Sequence, residues 1–256
     1  MTLRLSTWLL TLRTLRQFPR NPMIVGMSSS PVLMMFIVFG ALFESVRHLP
    51  GFPTDNYFEY LAPMAVLLTT VPGIAQAAVA LATDLQNRYF YKLMTTPASI
   101  GSIMLGRLLG DSIRLYVQGG AILLLALALG AHVETGLPGA LLMLLIGTLF
   151  GLVTFGVLTT NLALKTKDPA LIQAIFPMSF LLIFLTTAFQ TKGQIESGVL
   201  RAIVDANPAE HVLRPMRELM LSGYDWEGIG VAFLVIVGLG VIGLPLTIRN
   251  YRSVYR

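Results

Sequence analysis

Apolar residues gather into six long runs along this chain, over about 24 to 46, 59 to 82, 106 to 130, 137 to 160, 171 to 190 and 228 to 248. A helix needs about 20 apolar residues to cross about 30 Å of hydrocarbon with its backbone hydrogen bonds closed internally, and each run is about that long. Strand-like alternation is weak, which argues against a membrane barrel. The pattern predicts an all-α polytopic membrane protein with six transmembrane helices, forming one domain over residues 1–256. The first run follows some 23 polar or amphipathic residues and is too long for the apolar core of a cleaved leader, so it is expected to stay in the mature chain.

The polar interruptions have patterns of their own. Ahead of the first run, Leu5, Trp8, Leu9, Leu12 and Leu15 fall at helical spacing, with Arg13, Arg16 and Arg20 on or near the other face. That spacing predicts an interfacial helix over 3–18, lying on the inner leaflet and ended by Pro19 and Pro22. After the second run, Leu85 to Met94 contains neither Gly nor Pro, and Leu85, Tyr89 and Leu93 repeat every fourth residue. A short amphipathic helix over about 85–95 follows, stopped at Thr96-Pro97 and kept in water by Arg88 and Lys92. Two roles are open to it: a lid held at the interface by its aromatics, or a docking helix that offers Tyr89, Phe90 and Tyr91 to a cytoplasmic protein. Between the fifth and sixth runs, about 196–222 reads as two short helices broken at Asn207-Pro208, each with an apolar stripe, dipping into the outer leaflet as re-entrant elements.

Composition and charge sharpen this picture. The chain is 55% hydrophobic with mean hydropathy +0.73 and only 12% charged, where a soluble domain carries about 25%. With the N-terminus in the cytoplasm, thirteen of the eighteen Lys and Arg residues fall on the inner side and five on the outer. This bias fits the positive-inside rule and puts both termini in the cytoplasm. A pI near 9.7 then needs only anionic lipid head groups as its counterpart, and no nucleic acid. Arg107, Asp111 and Arg114 open the third run on nearly one face, so the carboxylate can pair with either arginine as an anchor at the inner boundary.

Candidate chemistry is sparse. GLGVIG, Gly238 to Gly243, matches a dinucleotide fingerprint only in letters, since it lies inside the sixth run and follows no strand; close helix packing accounts for it better. GMSSS, Gly26 to Ser30, offers serines for an intramembrane hydrolase, but His48, His132 and His211 all fall outside the runs, so a base is lacking. The same histidines do not cluster with carboxylates at ligand spacing, and the chain has no cysteine, so no metal site is expected. Charge rings suited to an ion channel are missing. No Walker A motif is present, and no ionisable group sits at an expected midplane to carry an ion gradient. If the bundle moves cargo uphill, its energy enters through a partner chain, and the helix near residue 90 is the place to receive it.

The residues in these segments resemble the permease subunit of type-2 ATP-binding-cassette exporters, most closely the daunorubicin-resistance subfamily. The likeness rests on Asp84-Leu85, Phe90, Lys92, Pro97, Gly106-Arg107, Asp111 and Arg114, and on the outer Asn207-Pro208 with Arg217 and Leu219. It implies a permease of the cytoplasmic (inner) membrane, with two permease copies, identical or not, packed together. It also implies two ATPase subunits that hold ATP and Mg, no cofactor on this chain, and membrane lipid as surroundings. The coupling residues implied are Asp84, Leu85, Arg88, Tyr89, Phe90, Tyr91, Lys92, Met94 and Pro97. Cargo is expected between the first, second and fifth spans. Met34, Phe36, Thr69, Gln76, Phe180, Phe184 and Thr187 are the candidate lining residues by polarity and aromaticity, with simple packing as the other role open to each. The function expected is export of an amphipathic or lipophilic compound such as a drug, antibiotic or lipid. Export of a glycan or polyprenyl-linked polymer is the alternative within transport, and an intramembrane hydrolase the alternative outside it.

Overall fold

The structure, a computed structural model, describes residues 8, 11–12, 22–48, 51–87, 100–189, 193, 195 and 197–254. Among these, helices are the only extended elements: α1 (Pro22–Leu42), α2 (Tyr57–Gln86), α3 (Ile100–Ala128), α4 (Gly136–Gly151), α5 (Val157–Thr166), α6 (Pro169–Phe184), α7 (Gly198–Ala206), α8 (Pro208–Leu221) and α9 (Trp226–Val254). A 3₁₀ turn at Glu44–His48 follows α1. A π-helical segment, Leu152–Gly156, joins α4 to α5 into one continuous rod over Gly136–Thr166.

Among the described residues, four helices are long and apolar enough to cross a membrane: Tyr57–Gln86, Gly106–Ala128, Gly136–Thr166 and Trp226–Tyr251. The apolar stretches Ser30–Leu42 of α1 and Pro169–Phe184 of α6 are shorter. At 1.5 Å per residue, the 16 residues of α6 reach about 24 Å, less than a full hydrocarbon core. The fifth apolar run therefore ends as helix six residues before its expected limit at 190. The reason lies on α8, where the Asn207 amide donates to Leu182 O and Leu185 O at 2.6 Å each, and Glu210 accepts from the Thr187 amide at 2.7 Å. Side chains thus satisfy backbone groups that another helical turn would have paired.

The bundle is built around α2. From Tyr60 to Ala75 every residue of α2 is buried, and α1, α3, α4, α5, α6 and α8 all pack on it. Its one-sided polar-to-apolar contrast is weak because neighbours surround it, as expected for a helix that is apolar all round. By contrast, α9 is mostly uncovered and presents Leu234, Val237, Val241 and Ile242 outward. Close approach of α4 to α2 depends on Gly151, where an added β-carbon would lie 2.4 Å from Thr70 Cβ. We expect Gly151→Ala to lose about 1–3 kcal/mol by overpacking. Gly156→Ala, whose new atom meets nothing closer than 3.9 Å, should leave the thermal midpoint in detergent unchanged.

Several expected boundaries shift. α2 does not stop near residue 82 but runs to Gln86, capped by the Asn87 amide, which reaches Thr83 O and Leu85 O. Leu85 therefore belongs to α2 and is packed inside the bundle, rather than opening a separate amphipathic helix on its surface. The third helix begins at Ile100, ahead of the expected 106. Of the interfacial helix expected over 3–18, only Trp8, Thr11 and Leu12 lie among the described residues; Trp8 is exposed, and the buried Thr11 hydroxyl donates to Gly106 O at 3.1 Å. Arg88, Tyr89, Phe90, Tyr91, Lys92, Met94 and Pro97 lie outside the described residues.

Candidate functional site

Two ends of the bundle carry polar structure. Over the second half of α2, toward the end where it finishes, α3 lays its charged face against it. Arg114 meets Asp111 at 3.5 Å and also donates to Gly73 O, while Arg107 meets Asp84 at 3.7 Å and donates to Ala77 O. Of the two arginines open to Asp111 in the sequence, the structure selects Arg114, three residues on, and gives Arg107 to a carboxylate of the neighbouring helix. Gly73 makes this possible, because Leu115 and Gln118 of α3 occupy the space its side chain would fill. Both guanidiniums bond to carbonyls of α2, so α3 is attached to α2 along two successive turns.

At the opposite end, α6, α8 and the start of α2 share a buried network centred on Thr187. The Thr187 hydroxyl donates to Glu210 Oε1 at 2.7 Å and accepts from Arg217 Nη1 at 2.9 Å, and its carbonyl accepts from Arg217 Nη2 and from the Tyr60 hydroxyl, each at 2.8 Å. The guanidinium carbon of Arg217 sits 3.9 Å over the Tyr60 ring, a cation–π contact in a desolvated site. Burial pulls Arg217 below the usual arginine range, and the nearby Tyr60 and Glu210 oppose that shift. A neighbouring groove of about 730 Å³ lies between α8 and α9. In it Arg214 holds Glu218 at 3.1 Å, burial raises Glu218 above the usual carboxylate range, and the Glu218 hydrogen bond holds Asp225 low.

The candidate lining residues do not form one surface. Met34 is 69% exposed on α1, whereas Phe36 is wholly buried with its ring 5.4 Å from Phe58. Thr69 is buried and donates to Val66 O at 2.6 Å; Thr187 is the centre of the network just described. Gln76 is half-buried far along α2. Phe180 and Phe184 of α6 do come together, 6.2 Å apart, and Phe184 stacks on Phe189 at 5.6 Å. From there a chain of ring contacts continues through Phe39 and Phe43 to Tyr57 and Phe52, with successive centroids 5.2 to 6.2 Å apart. Phe39, Phe43 and Phe189 escaped the sequence reading, although Phe43, just past the end of α1, stands four residues after Phe39 and its amide donates to Phe39 O, a spacing that puts both on one face. This aromatic row joins α1, α2 and the end of α6, and its rings at Phe39, Phe43 and Phe189 are only partly covered.

Among the described residues, the chain is an all-helical bundle around a central helix, with four helices long and apolar enough to cross a membrane. The chain belongs to the ABC-2 type transporter family, whose model matches residues 6–221. It is similar to the daunorubicin resistance ABC transporter permease protein DrrB1 of Streptomyces coeruleorubidus, 26% identical over 87% of this chain and 76% of the relative. It also resembles the putative transport permease ycf38 of Cyanophora paradoxa, 24% identical over 97% of this chain and 89% of the relative. A probable doxorubicin resistance ABC transporter permease protein DrrC of Mycobacterium tuberculosis is 23% identical over 85% of this chain and 78% of its own length.

Proposed function

We propose that this chain is the membrane-spanning permease subunit of an exporter driven by ATP. It would carry an amphipathic or lipophilic compound out across the cytoplasmic membrane, with the energy supplied by a separate ATPase subunit. The observation that carries the reading is the family match, which runs from residue 6 through the last residue of α8. The relatives' names add drug resistance as the kind of cargo. The row of partly covered aromatic rings supports the same reading, because such rings offer apolar and π contacts without fixed charge.

In this reading α1 and α6 also span, completing six, and the end where α2 finishes is cytoplasmic. Arg107, Lys165, Lys167 and Arg249 collect toward that end, where anionic lipid favours them. Residues 88–97, which follow directly, form the surface that receives the ATPase, and ATP with Mg is bound on that partner. A second permease copy completes the path. α7, with Val199 and Ile203 exposed, rests in the outer leaflet together with α8.

The test is the double variant Tyr89→Ala/Phe90→Ala in the assembled complex. Membrane insertion should be retained while transport falls at least about 10-fold, since losing two interface aromatics removes several kcal/mol of docking energy. Co-purification of the ATPase at the wild-type level would count against the docking assignment.

A further inference from the structure

A second core, separate from the main one, closes the bundle where α2 finishes. Ala78, Leu81, Ala82 and Leu85 of α2 pack with Ala163 and Leu164 of α5, Ile172 of α6 and Tyr251 of α9. Membrane insertion alone does not require it. α9 is the least buried of the four long apolar helices, yet its Tyr251 is 4% exposed and sits among these side chains. Hydrogen bonds flank the cluster. The Asn161 amide donates to the Thr247 hydroxyl at 2.9 Å, and the Asn250 amide donates to Asn161 Oδ1 at 2.7 Å, so α5 and α9 are tied side chain to side chain. On the other flank, Asp84 and Arg107 tie the last turn of α2 to α3.

Close packing makes such a cluster stiff, because interiors at crystal-like density move as units instead of deforming. Contacts with lipid lack this property, since acyl chains are as apolar as the side chains they touch and re-pack freely. A push on the chain just beyond Asn87 thus has two possible outcomes. With the cluster intact, it moves α5, α6 and α9 along with α2. With the cluster loosened, it bends the last turns of α2 and goes no further.

We propose that the last two turns of α2 form a transmission node. In it Leu85 and Tyr251 are positioning residues that pass displacement of the α2 end into α5, α6 and α9, and the Asp84–Arg107 pair brings α3 along. This rests on the reading that a partner ATPase acts on residues 88–97. The α4–α5 rod offers a way to observe the effect, since it runs from the node to the far end of the bundle, where Leu137 in its first turn is 72% exposed.

The chain has no cysteine, so Leu137→Cys provides a single thiol for a fluorescent label. The Leu137→Cys permease is co-expressed with a cysteine-free ATP-binding-cassette ATPase partner, purified as a complex in lipid nanodiscs, labelled at that thiol, and treated with ATP and vanadate. The wild type should change its fluorescence on trapping. In Leu85→Ala the amplitude should fall at least 5-fold while ATPase co-purification and hydrolysis stay within 2-fold, and Leu85→Met, which conserves volume, should restore it. Asp84→Arg and Arg107→Asp should each lose amplitude, and the two together should regain it, an arm that decides the matter if Leu85→Ala misfolds. Full amplitude in Leu85→Ala or in the single charge reversals, beside a responsive wild type, overturns the node and leaves the permease reading standing. Loss of the ATPase from Leu85→Ala overturns it as well, making Leu85 part of the docking surface. A wild type that recruits no ATPase or ignores nucleotide sinks the permease reading and this inference with it.

Discussion

Replacing Arg217 by methionine is expected to lower the stability of the bundle by about 3 kcal/mol, with loss of the folded protein from detergent extracts. The side chain is partly buried with its Nε closed off from solvent, and the guanidinium donates twice to Thr187 and stacks on Tyr60. Methionine matches its length but leaves the Thr187 carbonyl with the Tyr60 hydroxyl alone, and removes the guanidinium from beside the Glu210 carboxylate. Lysine keeps the charge, but a point charge cannot donate in two directions and lie flat on a ring, so Arg217→Lys should fall between the two. Thermal unfolding of the purified permease checks this series. A methionine variant as stable as the wild type would remove the network from the account of how α6 is held.

The second large effect is expected at Asp111. Asp111→Leu should cost about 3–5 kcal/mol, because it leaves the Arg114 guanidinium buried without its counter-charge. Replacing both partners by leucine should recover most of that loss, since an apolar pair avoids the desolvation that the ions incur, although Gly73 O then loses its second donor. Yield in membranes and the thermal midpoint are the measurements. Normal yield of Asp111→Leu with transport abolished would move this pair from anchoring to the working cycle.

How far the sequence could be read depended on whether a feature repeats locally. The helices were legible because lipid demands long apolar runs, and the break at Asn207-Pro208 because it combines a capping side chain with a proline suited to the first helical turn. Family resemblance was legible for the same reason, through short stretches such as Asp84-Leu85 and Gly106-Arg107. Pairings across helices were not. Thr187 read as a polar lining residue, and nothing near it in sequence shows that Glu210 and Arg217, 23 and 30 positions away, converge on its hydroxyl. Leu85 read as the first residue of a surface helix, since its neighbours at 89 and 93 repeat correctly; its burial depends on Tyr251 at the far end of the chain.

By itself, then, the amino-acid order determined that this is a helical membrane protein, roughly where its apolar runs begin and end, and that its cations fall unevenly among the segments between them. Hydrophobic length and charge bias act on each segment separately, and so they are readable one segment at a time. Only the tertiary structure decided that α2 stands at the centre, that α6 stops short at Phe184, and that Arg107 and Arg114 take different carboxylates. Those outcomes come from which buried polar group finds a partner on another helix, and a burial cost of several kcal/mol per unpaired group selects the arrangement that satisfies them together.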